Sequence, residues 1–583
     1  MNKAKKISKV IGVALLAALL TGCASQSAIT QPEASNTPVQ QDGTDEKAIP
    51  EVVTNEEGAQ VPILPGTLAS SDLELESGKD ILISSPGIYR LSGNYDDITI
   101  TVNASEENIV SLVMDNLTIT NIDKPVIYVE SAGSVAVSPY TGSENTLTVS
   151  LEITENDGKN NAVIYSKDDL EIGGTGALNI VGQNSNGIQG NDDVLIHDCT
   201  LNINTGEKGI KVNETLRVES GNIVIDSGED ALHSDNEIVI SGGNVTVRTR
   251  DDGIHADNAI DISDGIIALE ECYEGIEAMN VIISGGTISI YAQDDGINAV
   301  APDSEEQDGA KSNKQIADAN GMNMRQPPDI GNEDFNPQNG NMPEPPNGMQ
   351  APPDEEMREP PNGMTPPNSD GMMPPDQMGG GFNQQDGTPP GGMQRPQNGD
   401  MQQGQNNNQP KRRDAGSFVG AIFDNDGSIL SISGGSIYVN AGGDGIDSNG
   451  NLLISGGEIY VDGPSDGGNG AIDFNADAKI TGGTIIAIGH ASMATNLRNA
   501  ELQASVLYCF DKTYDGGQTI EVKNASGDVV LSMNAAKAFQ SIVFSSPDIQ
   551  VGETYTLVIG TDEYSVTVTD NIQTIGNASG MLF

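Results

Sequence analysis

Short β-branched runs in which apolar and polar residues alternate fill two stretches of the chain, 66–300 and 417–496. In "NVTVRTR", Val245 and Val247 face inward and Thr246 and Arg248 outward if the run is a strand with one buried face. A refrain of β-branched run, Gly-rich turn and second β-branched run returns as "IVISGGNVTV", "VIISGGTISI", "LSISGGSIYV", "LLISGGEIYV" and "AKITGGTIIA". The residue before the inward Ile or Leu sets the interval. Gly209, Ala231, Gly253, Gly275 and Gly296 follow one another at steps of 22, 22, 22 and 21. Gly187 lies 22 residues earlier and Val163 another 24. A period near 22 with several short strands per repeat predicts an all-β chain folded as a parallel β-helix. A sandwich or propeller ranks below it, and a leucine-rich repeat needs spaced leucines and an Asn ladder that the chain lacks.

The pattern breaks at 301–416, where Pro, Gly, Asn, Gln and Met dominate and β-branched residues almost vanish, as in "PPDEEMREPP" and "QQGQNNNQP". Such a segment reads as a low-complexity insertion leaving one coil. Its methionines also raise the thought of thioether ligands for Cu(I). From 497 to 583 the period stops, and "ELQASVLYCF", "QSIVFSSP" and "YTLVIG" predict a small β unit covering the open end of the helix. "GIYRLSGNYDDITITV" is expected to do the same at the other end.

The N-terminus changes the picture of where the chain works. Lys3, Lys5, Lys6 and Lys9 precede "VIGVALLAALL" and then Leu20-Thr21-Gly22-Cys23, which reads as a lipoprotein signal peptide over 1–22 with Cys23 as the lipidated residue. Residues 23–65 are polar and unpatterned, suited to a flexible tether. The expectation is a bacterial membrane lipoprotein facing outward, monomeric. Cys199 and Cys272 lie more than three coils apart, beyond disulfide reach, and with Cys509 read as small apolar fillers.

Charge narrows the class further. The 583 residues carry 84 acidic and 28 basic side chains, a formal charge of −56. That excludes nucleic acid, which is recognised through Lys and Arg, and suits multivalent cations. Position sharpens this. The acids Glu229/Asp230, Asp251/Asp252, Glu274, Asp294/Asp295 and Asp444 fall in one column at the turns. Carboxylates one coil apart repel by roughly 1–4 kcal/mol, so protons or cations must lie among them. Calcium, which takes six to eight oxygen ligands in tolerant geometry, is the expected cofactor, with Asp251, Asp252, Asp294 and Asp295 as leading ligands. Hydrogen-bonded Asx turns are the bland alternative. "DNDGSI" at 424–429 fails as an EF-hand loop, and "GGDGID" at 442–447 matches only the opening of a glycine-rich calcium nonapeptide.

A second column follows the inward Ile or Leu: Lys211, His233, His255, Glu277, Asn298, Asp447 and Asp473, flanked by Asp235 and Asp257. Such a stripe suits an extended polymer. His233, His255, Glu277, Asn298 and Asp257 are candidate ligand-binding residues, Arg248 and Arg250 could meet carboxylates bidentately, and the two imidazoles could alternatively form a transition-metal pair. Without Trp, Tyr273 and Tyr291 are the candidate sugar-stacking rings.

Taken as an ordered set, the lipobox, "GIYRLSG", "VSLVMDNLTITN", "SGGTISI…DDGINA" and the Met/Pro-rich insertion resemble the bacterial carbohydrate-binding domain-containing lipoproteins once catalogued as a domain of unknown function. The resemblance implies a right-handed parallel β-helix, similar to polysaccharide lyases, with calcium on the "DDG" acids and plant cell-wall polysaccharide as partner. The Tyr273-Glu274 coil departs from "DDG". The expected function is calcium-dependent, non-catalytic binding of acidic, pectin-like polysaccharide. A pectate-lyase-type enzyme with Arg248, Arg250, Lys208 or Lys211 as base is the first alternative, and an adhesin for a protein partner the second.

Overall fold

The computed structural model describes residues 70–153, 161–302 and 426–576. The signal segment, Cys23, the tether and nearly all of the 301–416 insertion lie outside them. Every regular element among the described residues is a strand. Thirty-four strands join in one continuous hydrogen-bonded set that winds as a parallel β-helix of about 13 turns and about 23 residues per turn. The mean exceeds the 22-residue step of the central coils because corners vary while strands do not. Ile127 pairs with Ile164, 37 residues on, and Ile446 bridges to Ile472, 26 residues on.

Each coil contributes strands to three stacked parallel sheets. In one coil these include Ile210–Val212, Thr215–Val218 and Asn222–Ser227, which pair with Leu232–Ser234 and the two halves of Glu237–Thr249 in the next. Alternation places Ile223, Ile225, Val245, Val247, Ile267 and Leu269 inside, each no more than 1% exposed. Outward neighbours such as Arg248 reach solvent. The buried column of β-branched side chains is the main source of stability, at roughly 25 cal/mol per Å² of apolar surface removed from water. Cys199, Cys272 and Cys509 are buried free thiols within it or beside it.

The ladder continues in register from one side of the insertion to the other. Asn280–Ile283 pairs with Ile429–Ile432, and Ile297–Ala299 with Ile446–Ser448. Ala301 N–H donates to Asp426 Oδ2 at 2.7 Å, and the Ser428 hydroxyl to the Ala299 carbonyl at 2.8 Å.

The two ends differ from each other. Gly87–Asp96 and Ile100–Asn103, read from sequence as a cap, are themselves rungs, pairing parallel with Ile109–Asn121 and Ile127–Ser131. Their alternation is that of an ordinary coil, and Ser70–Asp72 and Ile81–Ile83 pair on their outer side. At the other end the β unit covers the edge as expected. Phe539–Ser546 runs antiparallel along Thr484–Gly489, and Ala504–Tyr514 pairs with its far side. A four-stranded antiparallel sheet of Thr519–Lys523, Val529–Asn534, Thr554–Ile559 and Asp562–Thr567 completes the unit. It has its own core around Phe539, Ile542 and Phe544.

A polar latch ties this unit to the coils. Asp462, fully buried, accepts the Tyr438 hydroxyl at 2.8 Å and the Ala536 N–H at 2.8 Å, while the Lys537 ammonium donates to the Ala441 carbonyl. Asp462→Ala removes the shared acceptor of two part-buried donors, so we expect a loss of about 1–3 kcal/mol. Thermal denaturation checks this, together with faster proteolysis within 497–576.

Candidate functional site

The acids of the opening pattern come together because the backbone stacks them. The N–H groups of Ala231, Gly253, Gly275 and Gly296 donate to the carbonyls of Asp252, Glu274, Asp295 and Asp444 in the following coil, at 2.9–3.0 Å. Approach is so close that a Cβ on Gly275 would fall 2.2 Å from the Gly296 carbonyl oxygen. Turn acids therefore form one line. The residues three positions on form a second, with Lys211, His233, His255, Glu277, Asn298 and Asp447 paired rung to rung. The structure extends this second line upstream through Gln189 and Tyr165 to Tyr128.

Turn carboxylates first accept backbone donors of the next coil. Asp230 Oδ1 takes the Asp252 N–H at 3.3 Å, Asp252 Oδ1 the Glu274 N–H at 3.3 Å, and Asp295 Oδ1 the Asp444 N–H at 2.6 Å. Asp444 Oδ1 in turn accepts from Gly470. These bonds fix each side chain but bring no net charge.

Three charge regimes follow along the line. At the first, Asp230 is buried and contacts the Lys208 ammonium, and its Oδ2 lies 2.8 Å from His233 Nδ1. Burial pushes its pKa up, but the His233 hydrogen bond and the Lys208 charge outweigh it and hold Asp230 well below the usual carboxylate range. The Nε2 of His233 faces Asp235 Oδ1 at 3.0 Å. Asp251 is exposed beside this cluster. Partial burial, then the charges of Asp230 and Asp252, raise it to about 6. Ligand atoms of Asp230, Asp251 and Asp252 all lie within 4.8 Å of one another.

At the second, His255 repeats the pattern. Nδ1 is 3.1 Å from Asp252 Oδ2 and Nε2 3.6 Å from Asp257 Oδ1, and the ring stacks on His233 with centroids 5.1 Å apart. Burial alone would lower His255, but the Asp252 hydrogen bond and surrounding carboxylates carry it above its ordinary value. Glu277 is driven far up by burial and by its contact with Glu274.

At the third, among the described residues, no lysine or arginine pairs with the acids. Burial and the neighbouring Asp444 raise Asp295 to about 7. Burial, opposed by the Gly470 N–H and helped by Asp473 and Asp294, raises Asp444 to about 6. Burial and the charges of Asp444, Asp473 and Asp295 raise Asp447 to about 8. Asn298, only 8% exposed, donates through Nδ2 to Glu274 Oε2 at 3.0 Å, and its buried Oδ1 has no donor among the described residues. Gly443 leaves a cradle there: a Cβ on it would stand 2.3 Å from both Asp294 Oδ1 and Asp295 Oδ1. Two carboxylate oxygens converging on one small space, among acids with no lysine or arginine partner in the described residues, are oxygen donors of the kind calcium takes.

The structure does not bring all leading ligands together. Asp251/Asp252 and Asp294/Asp295 are two rungs apart, about 10 Å, separated by Tyr273-Glu274. Glu229 reaches Lys208 at 3.9 Å. Tyr273 is exposed, and the hydrogen bond of its hydroxyl to Asp294, followed by partial burial, raises it to about 12. Arg248 is paired with Glu270 at 2.6 Å, and Arg250 is exposed. Lys208, a candidate base, is held protonated: burial lowers it, but the Asp230 and Glu229 carboxylates more than offset that. Lys211 stands 4.0 Å from Asp235. Tyr291 is 38% exposed with its ring 5.8 Å from Tyr438.

A stacked file of outward polar groups backed by acidic turns is the feature that comparison with known proteins must explain. Residues 77–319 match the carbohydrate-binding domain-containing protein family. A carbohydrate-binding domain-containing protein of Acetivibrio thermocellus is 37% identical over 124 residues, 21% of this chain. That match spans 43% of the relative's length. A solved structure of the polysaccharide lyase-like protein from C. thermocellum, a gadolinium derivative, is 27% identical and covers 38% of this chain and 93% of its own, with a TM-score of 0.32. The carbohydrate-binding domain match takes in both histidines, Glu277 and Asn298, whereas Asp444 and Asp447 lie beyond it.

Reading the sequence missed three things. Lys208 serves as an internal counter-cation, Asp447 belongs with the acid group as well as the polar column, and Tyr128 and Tyr165 continue the stripe, stacked at 5.6 Å. The first two were findable, since Lys208 and Asp447 occupy the same offsets from the inward Ile as Asp230 and His233. The tyrosines were hidden by the 37-residue coil between Ile127 and Ile164.

Proposed function

We propose that this chain is a calcium-dependent, non-catalytic receptor for acidic polysaccharide, held by a lipid on Cys23 at the outer face of a bacterial membrane. The observation that carries it is the acid group at Asp294, Asp295, Asp444 and Asp447, crowded and half-buried yet, among the described residues, without a lysine or arginine partner. Calcium there supplies divalent charge and coordination positions open to further oxygens. Asp294, Asp295 and the Asn298 amide oxygen would hold it, and Asp444 and Asp447 would balance its charge. A protein of net charge −56 otherwise repels a polyuronate. With ions along the stripe, the uronate carboxylates gain a partner that both sides share. Repetition at roughly 4.8 Å per rung favours an extended chain lying along the coils over a single small sugar, and the family match over 77–319 supports a carbohydrate ligand.

Affinity electrophoresis tests the reading. Polygalacturonate in the gel should retard the protein when calcium is present and leave it unretarded after chelation, while neutral cellulose derivatives show no calcium effect. Retardation by polygalacturonate that survives EGTA would defeat it.

A further inference from the structure

Two coils before the oxygen-only end, a nitrogen enters the donor set. His255 Nδ1 lies 3.1 Å from Asp252 Oδ2 and 3.6 Å from Glu277 Oε1, and one ligand atom from each residue falls within 4.8 Å of the others. Adjacent ligands on a divalent ion with bonds of about 2.1 Å stand about 3.0–3.4 Å apart, so small side-chain movements close the triangle on one ion. The opposite nitrogen of the ring faces Asp257 Oδ1 at 3.6 Å. A carboxylate behind a metal-binding imidazole is what fixes its tautomer and orientation.

The preceding coil is an internal comparison. Asp230, His233 and Asp235 repeat the same i, i+3, i+5 arrangement, but there the Lys208 ammonium contacts Asp230. The residue after His233 in the column is another imidazole, whereas the residue after His255 is Glu277. Among the described residues no lysine or arginine pairs with Asp252 or Glu277. One coil thus carries its own cation, and the next replaces it with a further carboxylate around a nitrogen donor.

We propose that Asp252, His255 and Glu277 form a site for a borderline d-block cation of the zinc class, separate in ligand chemistry from the oxygen-only calcium positions. Imidazole suits such ions and calcium selects oxygen. The site stands whether or not the calcium reading does.

The test uses the untagged full chain in metal-free buffer with calcium held at saturating concentration. Zinc titrated calorimetrically should bind with one equivalent. His255→Gln should weaken it at least thirtyfold and Glu277→Gln about tenfold, while His233→Gln stays within twofold of wild type and calcium uptake is unchanged in all three. Copper(II) loaded in place of zinc should show hyperfine coupling to one imidazole nitrogen, lost in His255→Gln. The copper spectrum of wild type and the Glu277→Gln titration decide the matter should His255→Gln fail to fold. No zinc uptake in the presence of calcium, or equal uptake by wild type and His255→Gln, overturns the site and leaves His255 an internal counter-charge.

Discussion

Replacing Asp295 and Asp444 together by Asn is expected to weaken calcium binding, and with it retention by polygalacturonate, by about thirtyfold or more, equivalent to about 2 kcal/mol. Both side chains accept a backbone N–H from the next coil through Oδ1, and an Asn amide oxygen accepts the same bond, so the turn survives. What disappears is negative charge at a stretch of the line where, among the described residues, no ammonium or imidazole pairs with it. The same variant should therefore be more stable than wild type in metal-free buffer at pH 8, because two carboxylates that repel Asp294, Asp447 and each other have gone. Isothermal titration with calcium and a melting curve without it measure both halves. Undiminished calcium affinity in the double variant would move the ion to Asp230, Asp251 and Asp252 and refute the assignment of the C-terminal group.

Calcium-free protein is expected to gain stability as pH falls, the reverse of a fold held by ordinary carboxylate ion pairs. Asp295, Asp444 and Asp447, at about 7, about 6 and about 8, lie above the unfolded value near 3.9. The folded state binds their protons more tightly, so stability rises as pH drops through that window and is complete only near pH 4. His255, also raised, acts in the same direction, its contribution being present below its unfolded pKa and lost as pH rises through the folded one. Asp230 opposes them only at the acid end, since its depressed pKa yields stability that is lost below about pH 4. Scanning calorimetry in metal-free buffer should show an apparent unfolding temperature roughly 5 °C or more higher at pH 5.5 than at pH 8. Saturating calcium should reverse the difference, raising the pH 8 value most, because an ion that needs ionised ligands competes with the protons. A flat calcium-free profile would mean the acids are not crowded in solution as they are here.

The contrast between Asp230 and Asp295 shows where reading residues in order reaches its limit. Both are the turn acid before a Gly or Ala and an inward Ile or Leu, and both accept the next coil's N–H. One is pulled down, against its burial, by His233 and Lys208, and the other is pushed up by burial and then by Asp444. Nothing at their own positions distinguishes them. In the same way, Asp251/Asp252 and Asp294/Asp295 are alike as dipeptides, yet the Tyr273-Glu274 coil keeps them two rungs apart.

Sequence alone determined the coil period, the inward face of each strand, the acid and polar columns, the unpaired cysteines and the covering of the C-terminal edge. It could do so because backbone hydrogen bonds stack every coil at one spacing whatever the side chains are, so a repeat in number becomes a column in space. Only the tertiary structure decided which acids already have a cation, that "GIYRLSGNYDDITITV" is a rung and no lid, and that Tyr128 and Tyr165 share the stripe with the histidines. Those outcomes depend on side-chain reach between neighbouring rungs and on coils of unequal length, and Coulomb energies that fall with distance give identical motifs opposite fates according to what lies one coil away.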